Sequence, residues 1–246
     1  YNLPTPTILQ GNKYMDATPF TATSGAQSIV NQGQFKPDWV WVKSRSNTQD
    51  NWVMDSVRGG QNLLRINTTA AEQTYSTPNF ITSFNSNGFS TDTASLVTSG
   101  YTYVAWQWQA GQGTTTAGTG TGGITSVTQS VNTTAGFSIV TYTGSGTNGT
   151  VTHGLGVAPA MMIVKNRSSG SDNWTIYQKA TSSTPQNDYM FFTTAAKASA
   201  STVWQNTAPT SSVFSIGTSG TVNTNANNFV AYCWAEIAGF SKFGSY

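Results

Sequence analysis

The sequence is poor in charged residues, and this scarcity limits the functions that it can have. Asp, Glu, Lys and Arg make up 8% of the chain, against roughly 25% in ordinary soluble domains. The formal net charge is only +2, so the chain lacks the strongly basic surface that nucleic acid or anionic lipid would attract. No apolar run approaches the ~20 residues of a membrane span. We therefore expect neither a nucleic-acid partner nor a membrane partner.

The chain also has a single cysteine and a single histidine, which excludes several kinds of site. Cys233 cannot form an intrachain disulfide, and its apolar surroundings FVAYCW are typical of a buried thiol. One histidine, His153, and one cysteine are too few for a zinc site built from imidazoles and thiolates. The carboxylates are scattered, and no nucleophile–base or paired-carboxylate motif supports catalysis. We therefore predict a non-enzymatic protein with no catalytic residue, no metal and no cofactor.

Sustained helical periodicity is absent as well, and short strand-like runs take its place. Runs rich in Val, Ile, Phe, Tyr, Trp and Thr alternate with clusters of Gly, Asn and Ser, which is the pattern of strands and turns. The hydrophobic fraction of 37% is large enough for well-packed cores. These features predict an all-β chain.

Two long stretches of the sequence are copies of each other. PDWVWVKSRSNTQDNWVMD, residues 37–55, aligns without a gap with PAMMIVKNRSSGSDNWTIY, residues 159–177. Further matches follow each copy, such as YVAWQW from Tyr103 and FVAYCW from Phe229. We predict two tandem β-sandwich modules, jelly-roll-like and related by internal duplication. A single continuous jelly roll built from both halves is the alternative.

The repeat divides the chain into four predicted segments. Residues 1–13 form an N-terminal extension, 14–111 the first module, 112–132 a Gly/Thr-rich linker and 133–246 the second module. The stretch GQGTTTAGTGTGG, from Gly111, has no apolar residue to bury and should be a flexible or extended connector. The predicted core positions are Val40, Val42, Trp52, Val104, Trp106 and Trp108 in the first module, and Met162, Val164, Trp174, Val230, Tyr232 and Trp234 in the second.

Each copy of the repeat carries the same charged loop. A strand ends in Lys-x-Arg-Ser, a polar turn follows, and Asp-Asn-Trp begins the return strand. The structural interpretation is a hairpin with its turn near Asn47 or Gly170, held by turn chemistry, a core Trp and a surface ion pair. The alternative is a basic, aromatic ligand site in each module. The residues that would make such contacts are Lys43, Arg45, Asp50, Lys165, Arg167 and Asp172.

The end of the sequence repeats an earlier strand. AGFSKFGSY, from Ala238, resembles AGFSIVTYT, from Ala135, where the second module begins. We expect the tail to complete its own sheet or to pair with a neighbouring subunit, because an uncovered strand leaves backbone groups unpaired. This predicts a homo-oligomer or a lattice-bound subunit, with Phe240, Phe243 and Tyr246 buried within the sheet or at an interface contact.

Several blocks of the sequence resemble a known family. They include Lys-x-Arg-Ser with a following Asn-Trp, Asp-Ser-Val-Arg-Gly from Asp55, Tyr-Val-Ala-Trp-x-Trp from Tyr103, and GFSIVTYTG from Gly136. Together they resemble the repeated β domain of virion structural proteins of tailed phages, especially phages of marine and freshwater bacteria. The resemblance implies a structural subunit on the exterior of the phage particle, as capsid decoration, tail or fibre. Its implied partners are other virion proteins and further copies of itself.

Two other functions stay open at this point. A neutral polar surface with many Trp and Tyr residues also suits a carbohydrate-binding module that recognises a host surface glycan, although packing is the commoner role of such side chains. A secreted bacterial surface-array protein is the second alternative.

Overall fold

The computed structural model describes residues 5–75, 80–92 and 97–245, and it is nearly all β. Strands account for 41% of the chain and helices for 6%, so the prediction of an all-β chain is confirmed. The strands are arranged in several antiparallel sheets. None of the helices in these ranges has the length and apolar character needed to cross a bilayer.

The first half of the chain forms one large and one small sheet. Its strands are β1 (Met15–Thr21), β2 (Gln27–Val30), β3 (Trp39–Ser44), β4 (Asn51–Asp55), β5 (Asn62–Arg65), β6 (Gln73–Thr74), β7 (Ile81–Asn85), β8 (Gly88–Thr91) and β9 (Thr102–Trp108). The first sheet has the order β1-β9-β3-β4-β5-β6, and a small sheet has the order β2-β8-β7. A short 3-10 turn, Gly11–Lys13, precedes β1.

The second half also forms a large and a small sheet. Its strands are β10 (Thr116–Ala117), β11 (Thr125–Asn132), β12 (Phe137–Thr143), β13 (Gly149–Thr152), β14 (Met161–Asn166), β15 (Thr175–Gln178), β16 (Asp188–Phe191), β17 (Ala198–Ser199), β18 (Val213–Ile216) and β19 (Asn228–Trp234). Short helices are α1 (Ser201–Trp204), α2 (Gly220–Asn223) and the 3-10 turn Pro185–Asn187. The second sheet has the order β10-β11-β12-β19-β14-β15-β16-β17, and β13 pairs with β18.

The two large sheets share one strand order. If β1 is matched to β12 and β9 to β19, the order β1-β9-β3-β4-β5-β6 is repeated as β12-β19-β14-β15-β16-β17. The predicted hairpins are confirmed, since β3 pairs with β4 and β14 with β15 in antiparallel fashion. The second sheet differs by the strands β10 and β11, which lie beside β12.

The two hairpins differ in register by one residue. Val42 lies opposite Trp52 in the first hairpin, whereas the matching Val164 lies opposite Thr175 in the second. Because side chains alternate along a strand, a shift of one residue places a side chain on the other face of the sheet. Trp52 and Trp174, which the sequence aligns with each other, therefore belong to different cores.

Three clusters of buried apolar side chains join the sheets within the described residues. The first core joins the first sheet to the small sheet β2-β8-β7 and includes Trp52 and Phe89. The second core joins the second sheet to β13, β18 and the short helices, and it includes Trp204. The third, which we call the inter-sheet core, combines side chains of both large sheets, among them Trp39 and Tyr232. The two halves are thus in direct contact through their large sheets.

Most of the predicted core positions are confirmed. The side chains that the structure buries are Val40, Val42, Trp52, Met162, Val164, Trp174, Val230, Tyr232 and Trp234. Strand β9 differs from the prediction. The predicted core residues Val104, Trp106 and Trp108 are only half-buried, and the residues that alternate with them are buried instead. The second sheet covers only part of the face of the first sheet that carries Val104, Trp106 and Trp108. On the opposite face of β9 even the polar Gln107 is buried, and its amide nitrogen donates to the Thr18 hydroxyl at 2.8 Å.

The segment predicted as a linker also differs from the expectation. Residues 125–132 form β11, which pairs with β12, and β10 pairs with β11 in turn. Ile124 and Val127 contribute side chains to the second core. Residues 125–132 form a strand because β12 would otherwise lie at the edge of the sheet with unpaired backbone groups. The Thr-rich segment supplies hydrogen-bond partners for those groups.

Candidate functional site

The charged loop of the first hairpin is occupied by interactions within the protein. Lys43 is half-buried, and its ammonium donates to the carbonyl of Gln49 at 2.6 Å. Asp50 does not pair with Lys43 or Arg45, since its carboxylate accepts from Arg65 Nε at 3.0 Å. Arg45 is exposed. Of the three predicted contacts in this loop, Arg45 is the most exposed, and Lys43 and Asp50 are half-buried.

The matching lysine of the second hairpin is fully buried. Lys165 donates from Nζ to the backbone carbonyls of Thr69, Asn166, Ser169 and Asp172, at 2.9 to 3.2 Å. Burial lowers the pKa of Lys165 to about 8, against the opposing attraction of Asp172. Because Thr69 belongs to the first half of the chain, this ammonium connects the second hairpin to the first sheet. It is not accessible to a ligand.

Arg167 also contacts the first half of the chain. Its Nε and Nη2 atoms donate to the two carboxylate oxygens of Glu72 at 2.9 and 2.7 Å, which is a bidentate pair. The Glu72 backbone N–H donates in turn to the Arg167 carbonyl at 2.9 Å. Burial favours the neutral acid, but the hydrogen bond from Arg167 and the charge of Arg58 hold the pKa of Glu72 below its usual value.

Arg58 extends this pair into a buried cluster between the large sheets. Its Nη1 atom donates to Glu72 at 2.6 Å, and its Nε atom to Asp55 at 2.5 Å. Tyr232 of β19 donates to the same Asp55 carboxylate at 2.7 Å and accepts from Arg58 Nη2 at 3.1 Å. Although burial opposes the charge, Asp55 and the other neighbours raise the pKa of Arg58 above its usual value. We call Asp55, Arg58, Glu72, Arg167 and Tyr232 the ionic cluster.

Sequence reasoning found only part of this cluster. The Asp-Ser-Val-Arg-Gly block and Arg167 stand out in the sequence, but nothing there marks Glu72 or Tyr232 as their partners. Both the Asp55 and Arg58 side chains are fully buried, and the cluster connects the two large sheets. Its members come from positions far apart in the chain, and only the packing of the two sheets brings them together.

His153 and Cys233 have structural surroundings. His153 is buried, with Nδ1 accepting from the Leu155 backbone N–H and Nε2 lying 3.2 Å from the Thr210 carbonyl. Cys233 is buried in the second core, and burial raises the pKa of its thiol to about 12. Among the described residues, His, Cys, Asp and Glu form no group of three or more that could hold a metal ion.

A cavity opens at one end of the inter-sheet core. Its volume is about 590 Å³, within the usual range of small-molecule sites. The walls are mainly apolar and are formed by Met15, Trp39, Trp41, Trp108, Met161, Ile163, Phe192, Trp234, Phe240 and Phe243, with Lys242 also on the wall. Aromatic side chains of both large sheets meet beside it, as in the Trp39–Trp234 pair with ring centroids 5.4 Å apart.

The C-terminal tail forms one wall of this cavity. Residues 238–245 contain no strand; an isolated bridge between Ile237 and Ser241 closes a turn instead. Phe240 and Phe243 are half-buried, and Phe243 packs on the inter-sheet core. The expected additional strand is thus not formed in this segment, because the tail contacts the aromatic side chains at the end of the sheets. The last predicted contact, Tyr246, lies outside the described residues.

A shallower groove adjoins the cavity. It has a volume of about 440 Å³ and shares Trp41 and Phe192 with the cavity. Its other walls are Asn51, Ile66, Asn67, Phe191, Thr193 and Thr194. The groove therefore combines aromatic rings with amide and hydroxyl groups, and none of the residues that line it is charged.

Comparison with known protein families gives one match. A family model described as a domain of unknown function, DUF7483, matches residues 10–246. The chain belongs to this family. The match extends across both predicted modules and includes the ionic cluster, the cavity and the groove. No curated protein and no solved structure matches the chain.

Proposed function

We propose that this DUF7483 chain is a non-enzymatic structural component of a tailed-phage particle, located on the particle's exterior. The sequence blocks that resemble virion structural proteins support the proposal. We further propose that the chain consists of two β-sandwich modules related by internal duplication, each made of one large sheet and its smaller partner.

The repeated strand order supports the duplication. The contact between the sheets supports it as well, because matching faces of the two large sheets meet. Trp108 on β9 and Trp234 on β19 occupy equivalent positions, and their ring centroids lie 6.2 Å apart. A symmetric dimer of single modules would use the same surface on both partners in this way.

The observation that carries a structural role is the extent of burial between the large sheets. The inter-sheet core, the ionic cluster and the buried Lys165 together connect the halves at several separate points. Such a body is suited to bearing load and to packing against neighbours. Its low charge also favours packing, since few charges need to lose water when surfaces meet. We therefore propose a homo-oligomer or a subunit held by other virion proteins.

Mass spectrometry and imaging of purified particles test this function. Particles from a phage that encodes the chain would be banded in a density gradient, and antibodies to the purified chain would label them for electron microscopy. We expect the chain in the particle band, with label at regular exterior positions. Its absence from the particles would overturn the proposal, and its recovery on a bacterial cell surface would instead favour the surface-array alternative. Sedimentation of the isolated chain tests self-association separately.

A further inference from the structure

The groove beside the cavity is lined by the half-buried Trp41, and a second half-buried tryptophan, Trp106, lies next to Trp41. Trp41 and Trp106 are neighbours across β3 and β9, with ring centroids 5.0 Å apart and planes inclined by 53°. Both side chains are half-buried, although the equivalent positions in the second sheet, Ile163 and Tyr232, are buried by the first sheet. Part of the aromatic face of the first sheet is therefore left uncovered.

Neutral hydrogen-bonding groups flank this aromatic surface. The Trp41 indole N–H donates to Asn51 Oδ1 at 3.3 Å. The Asn51 amide nitrogen, by contrast, has no hydrogen-bond partner within the part of the chain that the structure describes. Thr193 and Thr194 also line the groove and are exposed. Donors and acceptors are thus available without any formal charge.

A second donor nearby also lacks a partner. Trp39 lines the adjoining cavity and is 1% exposed, and its indole N–H has no hydrogen-bond partner among the described residues. A buried polar group without a partner costs on the order of 1–3 kcal/mol, so a bound water or ligand oxygen is expected to accept this bond.

We propose that the groove binds a neutral oligosaccharide. The C–H face of a sugar ring carries partial positive charge and stacks on the negative face of an aromatic ring. Trp41 supplies that surface in the groove, with Trp106 packed beside it. Sugar hydroxyls accept from Asn51 Nδ2 and exchange hydrogen bonds with the threonine hydroxyls. The absence of charged side chains from the groove lining selects against sialylated or sulphated glycans. This activity goes beyond the structural role and does not depend on it.

A glycan array and a fluorescence titration test the proposal. The full chain would be applied to an array of neutral hexose and N-acetylhexosamine oligosaccharides, with sialylated and sulphated glycans beside them. We expect saturable binding to at least one neutral glycan and a change in tryptophan emission on titration with it. Trp41→Ala should weaken this binding at least tenfold.

A conservative variant removes one donor and keeps the surrounding structure. Asn51→Asp retains the oxygen that accepts from Trp41 but loses the free amide donor, so we expect a several-fold loss of affinity. Asn47→Asp adds the same charge in the exposed turn, and Phe84→Ala removes a half-buried ring from the small sheet β2-β8-β7; both should bind as the wild type does. If circular dichroism shows that Trp41→Ala does not fold, the glycan affinity of Asn51→Asp decides whether the proposal holds.

Three results would overturn the proposal. They are the absence of saturable binding to any neutral glycan, binding confined to anionic glycans, and wild-type affinity in a folded Trp41→Ala variant. Because these measurements use the isolated chain, they are independent of where the protein lies in a particle. The structural proposal can therefore fail while this one holds, and the reverse is also true.

Discussion

At the residue scale, several of the few charges in this protein are buried between the two halves. Asp55, Arg58 and Lys165 are at most 7% exposed, and each has polar partners that replace lost water. A buried charge that keeps its partners contributes little net stability, but a charge that loses its partner is costly. The sequence showed the lysines and arginines of the repeated loops but could not show Glu72 as their partner, because that contact depends on packing.

Replacing Arg58 tests the ionic cluster. Arg58→Leu leaves the buried Asp55 carboxylate without its cation, so we expect the free energy of unfolding to fall by about 3–5 kcal/mol. Arg45→Leu is the matched control at an exposed arginine and should change it by less than about 0.5 kcal/mol. Urea unfolding measures both. A decrease in the free energy of unfolding below about 1 kcal/mol for Arg58→Leu would show that Arg58 does not compensate the buried Asp55 carboxylate.

Cys233 gives a prediction for alkaline pH. Burial raises its thiol pKa from the usual 9.0 to about 12. The folded state therefore keeps the proton that the unfolded chain releases above pH 9, so stability is complete below pH 9 and falls as pH rises towards 12. Between pH 7 and pH 10 this group should lower the free energy of unfolding by roughly 1 kcal/mol. Unfolding of the wild type and Cys233→Ala at both pH values would measure the difference, and equal pH dependence in the two would contradict the assignment.

At the element scale, the hairpin pairs and their register determine which core each side chain enters. Hairpins, strand identities and most core positions were predictable, because alternation and turn residues are local signals. The burial of β9 and of residues 125–132 was not predictable, because it depends on which sheet covers which face. The one-residue register difference was also hidden, since the aligned sequences place Trp52 and Trp174 together without a gap.

Truncating the two aligned tryptophans should therefore have different structural effects. Trp52→Ala and Trp174→Ala should each cost about 3–5 kcal/mol. Trp174 stacks near Tyr232, and its indole N–H donates to the Arg65 carbonyl, so its loss should speed hydrogen exchange at β5 and β15. Trp52→Ala should instead speed hydrogen exchange in the first core, at β8. Matching exchange patterns in the two variants would contradict the register difference.

Removing the C-terminal tail tests its role as a cavity wall. Deleting residues 240–246 takes away Phe240 and Phe243 and should expose Trp39 and Trp234 to solvent. We expect stronger quenching of tryptophan fluorescence by acrylamide and a lower melting temperature. The double variant Phe240→Ser/Phe243→Ser keeps the full chain length and removes only the two rings. It should show the same stronger quenching and lower melting temperature as the deletion. Unchanged quenching after the deletion would show that the tail does not cover the cavity.

At the scale of the whole molecule, the central claim is that both halves form one body. The inter-sheet core contains side chains of both large sheets, and the ionic cluster and Lys165 connect the halves beyond it. Neither half could lose its fold without exposing the aromatic side chains and buried charges of the other. The proposed structural role rests on this mutual dependence.

Scanning calorimetry of the full chain tests the claim most directly. Mutual dependence predicts one unfolding transition, with a calorimetric enthalpy equal to the van't Hoff enthalpy. Two independently folded modules would instead give two transitions, or a van't Hoff enthalpy near half the calorimetric value. A single matched transition is the result that we expect, and two separable transitions would contradict the account.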